Sequence, residues 1–323
     1  MSLRIAMIGA GGVAQRHAKV LSGLEDVEVV SVTDLVPEAA RALAGAVGAE
    51  AFDQPERALA ERPVDAAYVC VPPFAHGEAE AAVLDRGLPM FVEKPVALDL
   101  EVAEQVARRV HDAGIVTGTG YHWRCLDTVE RARDLLTETP ALLAHGRWLD
   151  KRPPVDWWQR RHLSGGQVVE QLAHILDLAR HLLGEPVEVT AAAANDGEVE
   201  EDHVDDATAV LARFDSGAVV TLSASCALTA KRGAGLELVA PGLHLDLAEE
   251  RLVVTRGTDA EEHTPSFDPR EEVDRDFVAA VRGERPVARV PYADALASHR
   301  FALAIARSVR SGGTVRMDEV VAS

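Results

Sequence analysis

Two clusters of polar residues in this sequence have the types and spacing to move a proton beside a reacting carbon. The first is Glu93-Lys94-Pro95, which directly follows the apolar run Met90-Phe91-Val92. A lysine there stands at the carboxyl end of a buried strand, the edge at which open α/β sheets bind ligands. The proline excludes helical geometry at Lys94, so the strand ends in a fixed turn instead of running into a helix. The second cluster is Glu170, His174, Asp177 and His181, spaced four, three and four apart. That spacing puts them on one face of a continuous helix, opposite Leu172, Ile175, Leu176, Ala179, Leu182 and Leu183. An imidazole is the side chain best suited to taking and returning a proton near neutral pH. A polar stripe opposite an apolar one is also how an ordinary wet helix reads, and periodicity leaves both readings open.

A third constellation supplies an oxidant. Gly9-Ala10-Gly11-Gly12-Val13-Ala14 follows the apolar run Leu3 to Ile8 and opens a helical stretch from Ala14 to Leu24. This is GxGxxA in the setting that gives it meaning, a strand before and a helix after. Gly9 suits the tight turn, Gly11 lets the backbone approach a pyrophosphate, and Ala14 lets helix and strand pack closely. The helix N-terminus then offers unpaired N–H groups to phosphate. A second strand, Val27 to Asp34, ends in a carboxylate at the distance where the adenosine ribose hydroxyls are bound in a Rossmann unit. Asp34 would repel a 2′-phosphate, and Leu35-Val36 supplies no cation to hold one, so NAD is expected in preference to NADP.

The elements that must position these residues fall into two grammars. Short, nearly continuous apolar runs at Leu3 to Ile8, Val27 to Asp34, Ala51-Phe52, Ala66 to Val71, Met90 to Val92 and Ile115 to Thr119 alternate with helical stretches. That is the pattern of a parallel sheet covered on both faces. Beyond about residue 122 the strands alternate instead, at Leu142 to Leu149, Val187 to Ala194, Ala207 to Phe214, Ala218 to Cys226, Leu236 to Ala240, Leu243 to Leu247 and Leu252 to Thr255. Asp215-Ser216-Gly217 reads as a hairpin turn. Helices are expected at about 167 to 183, 269 to 282 and 291 to 310. The predicted fold is an α/β Rossmann domain over 1–122, with a parallel doubly wound sheet, and an α+β domain over 123–323 with a mostly antiparallel open sheet. Because Ala218 to Leu222 is apolar on both faces, the second sheet is expected to pack against another copy, giving a homo-oligomer, a dimer or tetramer. The run Asn195 to Asp206, with Asp196, Glu198, Glu200, Glu201, Asp202, Asp205 and Asp206, reads as a solvated acidic loop.

A formal charge of -19 at pH 7, with no basic block to reverse it locally, argues against nucleic acid and anionic membranes as partners. Cys70, Cys125 and Cys226 fit neither a disulfide framework nor a CxxC pair, which suits a reducing, cytoplasmic setting. The first apolar run is too short and too soon ended by glycine for a signal peptide or a spanning helix.

Taken together, the glycine fingerprint, Val71-Pro72-Pro73 with His76, Glu93-Lys94-Pro95, and Gly165-Gly166 followed by Glu170, His174 and Asp177 resemble the Gfo/Idh/MocA family of dehydrogenases over nearly the whole chain. The resemblance implies that Lys94 lies beside the nicotinamide and hydrogen-bonds the reacting hydroxyl, and that the Lys94-Pro95 bond is cis. It further implies that His174 exchanges the hydroxyl proton, with Glu170 standing where the family more often has Asp. Sugars and cyclic polyols are the implied substrates. Gly9, Gly11, Gly12, Val13, Ala14, Asp34, Val71, Pro72, Pro73, His76, Glu93 and Lys94 are then the expected cofactor contacts. Tyr121, Trp123, Arg124, Trp157 and Trp158, with Lys94, Glu170 and His174, are the expected substrate contacts. Trp158 stands where the family often has Arg. Three rivals remain: a dinucleotide- or sugar-binding regulator without catalysis, a redox-neutral enzyme that oxidises its substrate only transiently, and a metal hydrolase using Glu170, His174 and His181. The last lacks an HExxH motif or a cysteine pair, and no metal is expected.

Overall fold

The computed structural model describes residues 2–197 and 202–320. They form two compact units, the first of residues 1–122 and 269–296, the second of 123–268 and the stretch from 297 onward.

In the first unit, β1 (Leu3–Ile8), β2 (Val27–Thr33), β3 (Glu50–Phe52), β4 (Ala66–Val69), β5 (Met90–Val92) and β6 (Thr117–Thr119) pair in parallel in the order β3-β2-β1-β4-β5-β6. Ile5, Met7, Val32, Ala66, Ala67, Val69, Phe91 and Val92 are fully buried, because helices cover both faces. The crossovers are α1 (Gly12–Leu21), α2 (Pro37–Val47), α3 (Pro55–Glu61), α4 (Glu78–Leu84) and α5 (Leu100–Ala113). Strand order reverses at β1, which lies between β2 and β4, so the carboxyl ends of these three strands surround the switch point where such sheets bind nucleotides.

The segment 269–296 departs from the sequence reading, which placed it in the region 123–323. It packs with the first unit through the buried Phe277, edge-on to Tyr68 and Phe91, and through the Thr119 hydroxyl, which donates to the Val290 carbonyl at 3.0 Å. The Tyr292 amide donates to the Thr117 hydroxyl at 3.0 Å.

The second unit begins with α6 (Asp127–Glu138), an element the sequence reading did not contain. Its sheet comprises β7 (Leu143–Lys151), β8 (Pro186–Ala194), β9 (Ala207–Phe214), β10 (Val219–Leu228), β11 (Gly233–Ala240), β12 (Leu243–Ala248), β13 (Arg251–Arg256), β14 (Asp259–His263) and β15 (Val315–Arg316), in the order β14-β13-β12-β11-β7-β10-β9-β8-β15. All pairings are antiparallel except β7 with β10. In β9, Thr208, Val210, Ala212 and Phe214 are buried, whereas Ala209, Leu211 and Arg213 are exposed, the alternation of a sheet with one covered face.

The helix expected over 167–183 is broken. A short α7 (Arg161–Ser164) ends before it, and the expected span forms α8 (Gln167–Glu170) and, after a widened turn, α9 (Ala173–Leu183). The Leu172 amide donates to the carbonyl of Gln167, five residues back, at 3.0 Å. That bond marks the break, so Glu170 ends α8 whereas His174, Asp177 and His181 lie on α9. The acidic run is not simply solvated either: Asp202 accepts from His162, Asp205 from Arg161, and Asp206 from Arg152, with Asp206 buried. Glu198, Glu200 and Glu201 lie outside the described residues. The two remaining helices are α10 (Pro269–Val281) and α11 (Tyr292–Ser311).

Candidate active site

The glycine turn in the first unit has the features of a dinucleotide cradle. Gly9 has φ +103°, and a Cβ there would lie 2.2 Å from the Cys70 carbonyl oxygen, so only glycine fits. Gly11 is different. Its φ is -67°, ordinary for any residue, and a Cβ would meet nothing within 4 Å. No protein atom demands glycine at this position, and the space kept clear at the start of α1 fits a phosphate group. Ala14 is fully buried beneath the turn, whereas Gly12 and Val13 are exposed.

Asp34 locks this turn to the end of β2. One carboxylate oxygen accepts the Ala10 amide at 2.7 Å and the other the Val36 amide at 2.8 Å. Each oxygen keeps a lone pair for a ribose hydroxyl. Beside it Leu35 is 90% exposed and Val36 54%, an apolar surface without protein cover that suits an adenine ring. After β4, Val71 and Pro72 are half-buried and Pro73 is buried. His76 Nδ1 lies 2.5 Å from the Glu80 carboxylate, whose other oxygen accepts the Gly77 amide at 2.6 Å. His76 Nε2 is buried with no hydrogen-bonding partner among the described residues. Such an orphan is expected where a polar ligand group completes the site. The open Gly11, the uncovered Leu35 and the orphaned His76 nitrogen together fit a dinucleotide.

Lys94 follows β5, half-buried, and the Lys94-Pro95 bond is cis. Glu93 beside it is buried and accepts the Lys94 amide on Oε2 at 2.9 Å. His17 Nε2 lies 2.9 Å from Glu93 Oε1, and His17 Nδ1 lies 2.6 Å from Asp274 Oδ1. Burial opposes charge on His17, but the carboxylates of Asp274 and Glu93 outweigh it and hold the ring up at about 9. Burial likewise pushes the Glu93 carboxyl up, yet the His17 hydrogen bond and the charges of His17, Arg16 and Lys94 prevail and hold it down at about 2.

These shifts predict a pH profile for stability. His17 binds its proton more tightly in the folded chain, so its contribution is complete below about 6.5 and disappears as the pH rises through about 9. Glu93 behaves oppositely: its contribution is complete above about 4.5 and is lost as the pH falls through about 2. Unfolding followed by circular dichroism should show Tm declining between pH 6.5 and 9, and His17→Gln should flatten that decline, which reflects roughly 3 kcal/mol shared among the three groups. An equal slope in both proteins would contradict the charged imidazole.

In the second unit, His174 on α9 is buried and stacks on Trp148, with ring centroids 5.6 Å apart and planes at 23°. Trp123 lies at 6.5 Å and 20°. The Lys231 ammonium sits 4.6 Å from the Trp148 ring centroid, a cation–π contact. Asp177 is buried and takes a bidentate pair from Arg124, both bonds 2.7 Å, plus the Ser298 hydroxyl at 2.7 Å. The stripe read as one polar face is therefore interior at His174 and Asp177, with Glu170 and His181 half-buried.

The expected substrate contacts are thus not all alike. Trp123 joins His174, and Arg124 is buried against Asp177. Trp158 is 1% exposed in a cluster with Val204 and Cys226, with Trp157 packed on it. Tyr121 is buried at the end of the first unit. Among the described residues no three of His, Cys, Asp or Glu are grouped to hold a metal ion.

Sequence reasoning missed His17, Asp274 and Trp148. The first left a trace: Ala14, His17, Ala18 and Leu21 repeat at helical spacing on the buried face of α1, with one polar residue among them.

Residues 3–121 match the model of an oxidoreductase family with an NAD-binding Rossmann fold, GFO_IDH_MocA, and residues 141–242 match the GFO/IDH/MocA C-terminal domain. Inositol 2-dehydrogenase of Rhizobium meliloti (strain 1021) is 35% identical over 202 residues, 60% of this chain and 59% of that protein. Myo-inositol 2-dehydrogenase of Thermotoga maritima is 28% identical over 229 residues, 67% of this chain and 66% of that protein. The matched stretch thus spans less than two thirds of either relative. A levoglucosan dehydrogenase solved with NADH and levoglucosan superposes with a TM-score of 0.89, covering 98% of this chain and 100% of that one at 18% identity, which speaks to the fold. With both characteristic domains matched in order, the chain belongs to the GFO/IDH/MocA oxidoreductase family.

Proposed function

We propose that this protein is an NAD-dependent dehydrogenase that interconverts a secondary alcohol and a ketone on a sugar, cyclic polyol or related small molecule. The observation that carries the reading is Lys94, set by a buried ionic network at the carboxyl end of β5 in the sheet that also presents the open glycine cradle. NAD, when bound, supplies the hydride acceptor, and NADH the donor in reverse. Gly9, Gly11, Gly12, Val13 and Asp34 would hold its pyrophosphate and ribose, and Val71, Pro72, Pro73 and His76 would flank it. The amine of Lys94 binds and orients the reacting hydroxyl. The imidazole of His174 takes the hydroxyl proton and returns it in the reverse direction. Glu170 holds a neighbouring substrate hydroxyl, and Tyr121 and Trp123 shape the walls. The relatives named for inositol oxidation support the substrate class.

NAD is preferred to NADP on this reading. Leu35, Val36 and Pro37 carry no charge, and Arg41, the next cation, is paired with Glu38 at 2.6 Å. Titration of protein fluorescence with NADH and NADPH should give at least tenfold tighter binding of NADH, from repulsion between Asp34 and a 2′-phosphate. Equal affinities would overturn the preference.

The test of function is absorbance at 340 nm with NAD and a panel of cyclic polyols and pyranosides. A stereospecific rise is expected, and His174→Ala should lower kcat by about 10² to 10⁴ without loss of NADH binding. NADH binding without turnover on any member would instead favour the regulator.

Among the described residues no helix is long and apolar enough to cross a membrane. The three cysteines are free, in keeping with a cytoplasmic setting. A second copy would cover the open face of the second sheet, where Leu211 is 53% exposed and Val219 40%. Light scattering should show a homo-oligomer that Leu211→Asp dissociates, and a monomeric wild type would refute the assembly.

A further inference from the structure

Three ionisable side chains from distant parts of the sequence meet beneath the Lys94 turn, all within the first unit. His17 comes from α1, Glu93 from the end of β5, and Asp274 from α10, 257 residues beyond His17. The His17 side chain is completely buried, as is that of Asp274. Tyr68 and Phe91 wall the imidazole at ring separations of 5.4 and 5.1 Å, so it cannot turn away from either carboxylate.

Each contact of the Glu93 carboxylate constrains the turn. Oε1 receives His17 Nε2 at 2.9 Å and the Arg16 guanidinium at 3.4 Å, and Oε2 receives the backbone amide of Lys94. Gly120, just beyond β6, leaves the room: a Cβ there would lie 2.3 Å from Glu93 Oε2. A buried ionic cluster is a poor device for stability, because apolar residues of similar volume stabilise at least as well. What it supplies here is a fixed position for one carboxylate, and through that carboxylate for the amide of Lys94.

We propose that His17, oriented by Asp274, is a positioning residue for Lys94, acting through the Glu93 carboxylate; this rests on the reading of Lys94 as the residue that binds the reacting hydroxyl. The segment 269–296, although late in the chain, is then part of the apparatus that sets the lysine. His17 and Asp274 touch neither substrate nor cofactor on this account, and their influence ends at the backbone of residue 94.

The chain has four lysines, Lys19, Lys94, Lys151 and Lys231, which permits a readout independent of activity. Full-length wild type, His17→Gln, Asp274→Asn and Leu43→Ala are labelled with a small amine-reactive reagent, and the rate at Lys94 is followed by peptide mass spectrometry relative to Lys151 and Lys231 in the second unit. Leu43→Ala empties a buried position on α2, which packs on β2 and β3 toward the opposite edge of the sheet from β5, and serves as the structural control. In His17→Gln, relative labelling of Lys94 should rise at least about threefold as the turn begins to open locally. Its kcat should fall by about ten- to a hundredfold, the scale of a displacement of about 1 Å, with KM for NAD within about twofold. Asp274→Asn should change both quantities in the same direction by less, and it carries the test if His17→Gln does not fold. Leu43→Ala should lower Tm and leave Lys94 labelling and kcat at wild-type values. If His17→Gln and Asp274→Asn lower Tm as Leu43→Ala does but leave labelling and kcat unchanged, the cluster is purely structural and the proposal is overturned. A wild type that turns over no substrate would sink the functional reading alone, and the labelling would still decide the positioning.

Discussion

Lys94→Ala is expected to lower kcat by about 10³-fold while the dissociation constant for NADH stays within about threefold, a loss in the range that general acid–base groups contribute. The size follows from what the side chain would do. The amine binds the hydroxyl that becomes a carbonyl, so it acts where charge changes during the reaction, and an interaction strengthened in the transition state appears in kcat. Small effects on cofactor binding are expected because the contacts assigned to the pyrophosphate and ribose come from Gly9 to Ala14 and from Asp34, at the ends of β1 and β2. Steady-state kinetics on the best substrate of the panel, beside a fluorescence titration with NADH, checks both halves. A variant that keeps most of its kcat would remove Lys94 from the mechanism.

Gly11→Ala should separate the ligand from the fold. A Cβ at Gly11 meets no protein atom within 4 Å, and the φ of -67° suits alanine, so Tm should match wild type. Where a phosphate must approach the backbone, however, the added methyl occupies its place, and NADH affinity should fall by at least about a hundredfold, close to 3 kcal/mol. Gly9→Ala provides the contrast, because its Cβ would strike the Cys70 carbonyl and its φ of +103° is strained for any side chain. That variant should lose stability and affinity together. Calorimetric titration with NADH and thermal unfolding on the two variants give the comparison. Unchanged NADH affinity in Gly11→Ala would mean that the open space at the start of α1 does not take the pyrophosphate.

The first unit was legible in the sequence because its signals are local. Strands buried on both faces leave continuous apolar runs, and the order strand, GxGxxA, helix, strand, Asp34 occupies one stretch of chain. Contacts made over long separations left weaker marks. Nothing in Pro269–Val281 announces that Asp274 will meet His17, since a buried aspartate paired across 257 residues looks, in one dimension, like any acidic position on an amphipathic helix. The 100° count through 167–183 missed a break at Gln171-Leu172, where a hydrogen bond spanning five residues separates Glu170 on α8 from His174 and Asp177 on α9. β14, Asp259–His263, escaped because a strand rich in charge has no apolar alternation to betray it. The burial of Trp158 with Val204 and Cys226 is likewise a contact no spacing rule encodes.

On the proposed function, a secondary alcohol bound to this protein gives up hydride to NAD. Rapid mixing of excess enzyme and NAD with the best-bound polyol or sugar, followed at 340 nm, tests it in a single turnover. The account predicts a first-order rise that persists after the reaction is complete and is absent in Lys94→Ala. A rise that decays again would place the oxidation inside a redox-neutral cycle. A flat trace under conditions where NADH and the polyol or sugar are both shown to bind would contradict the account.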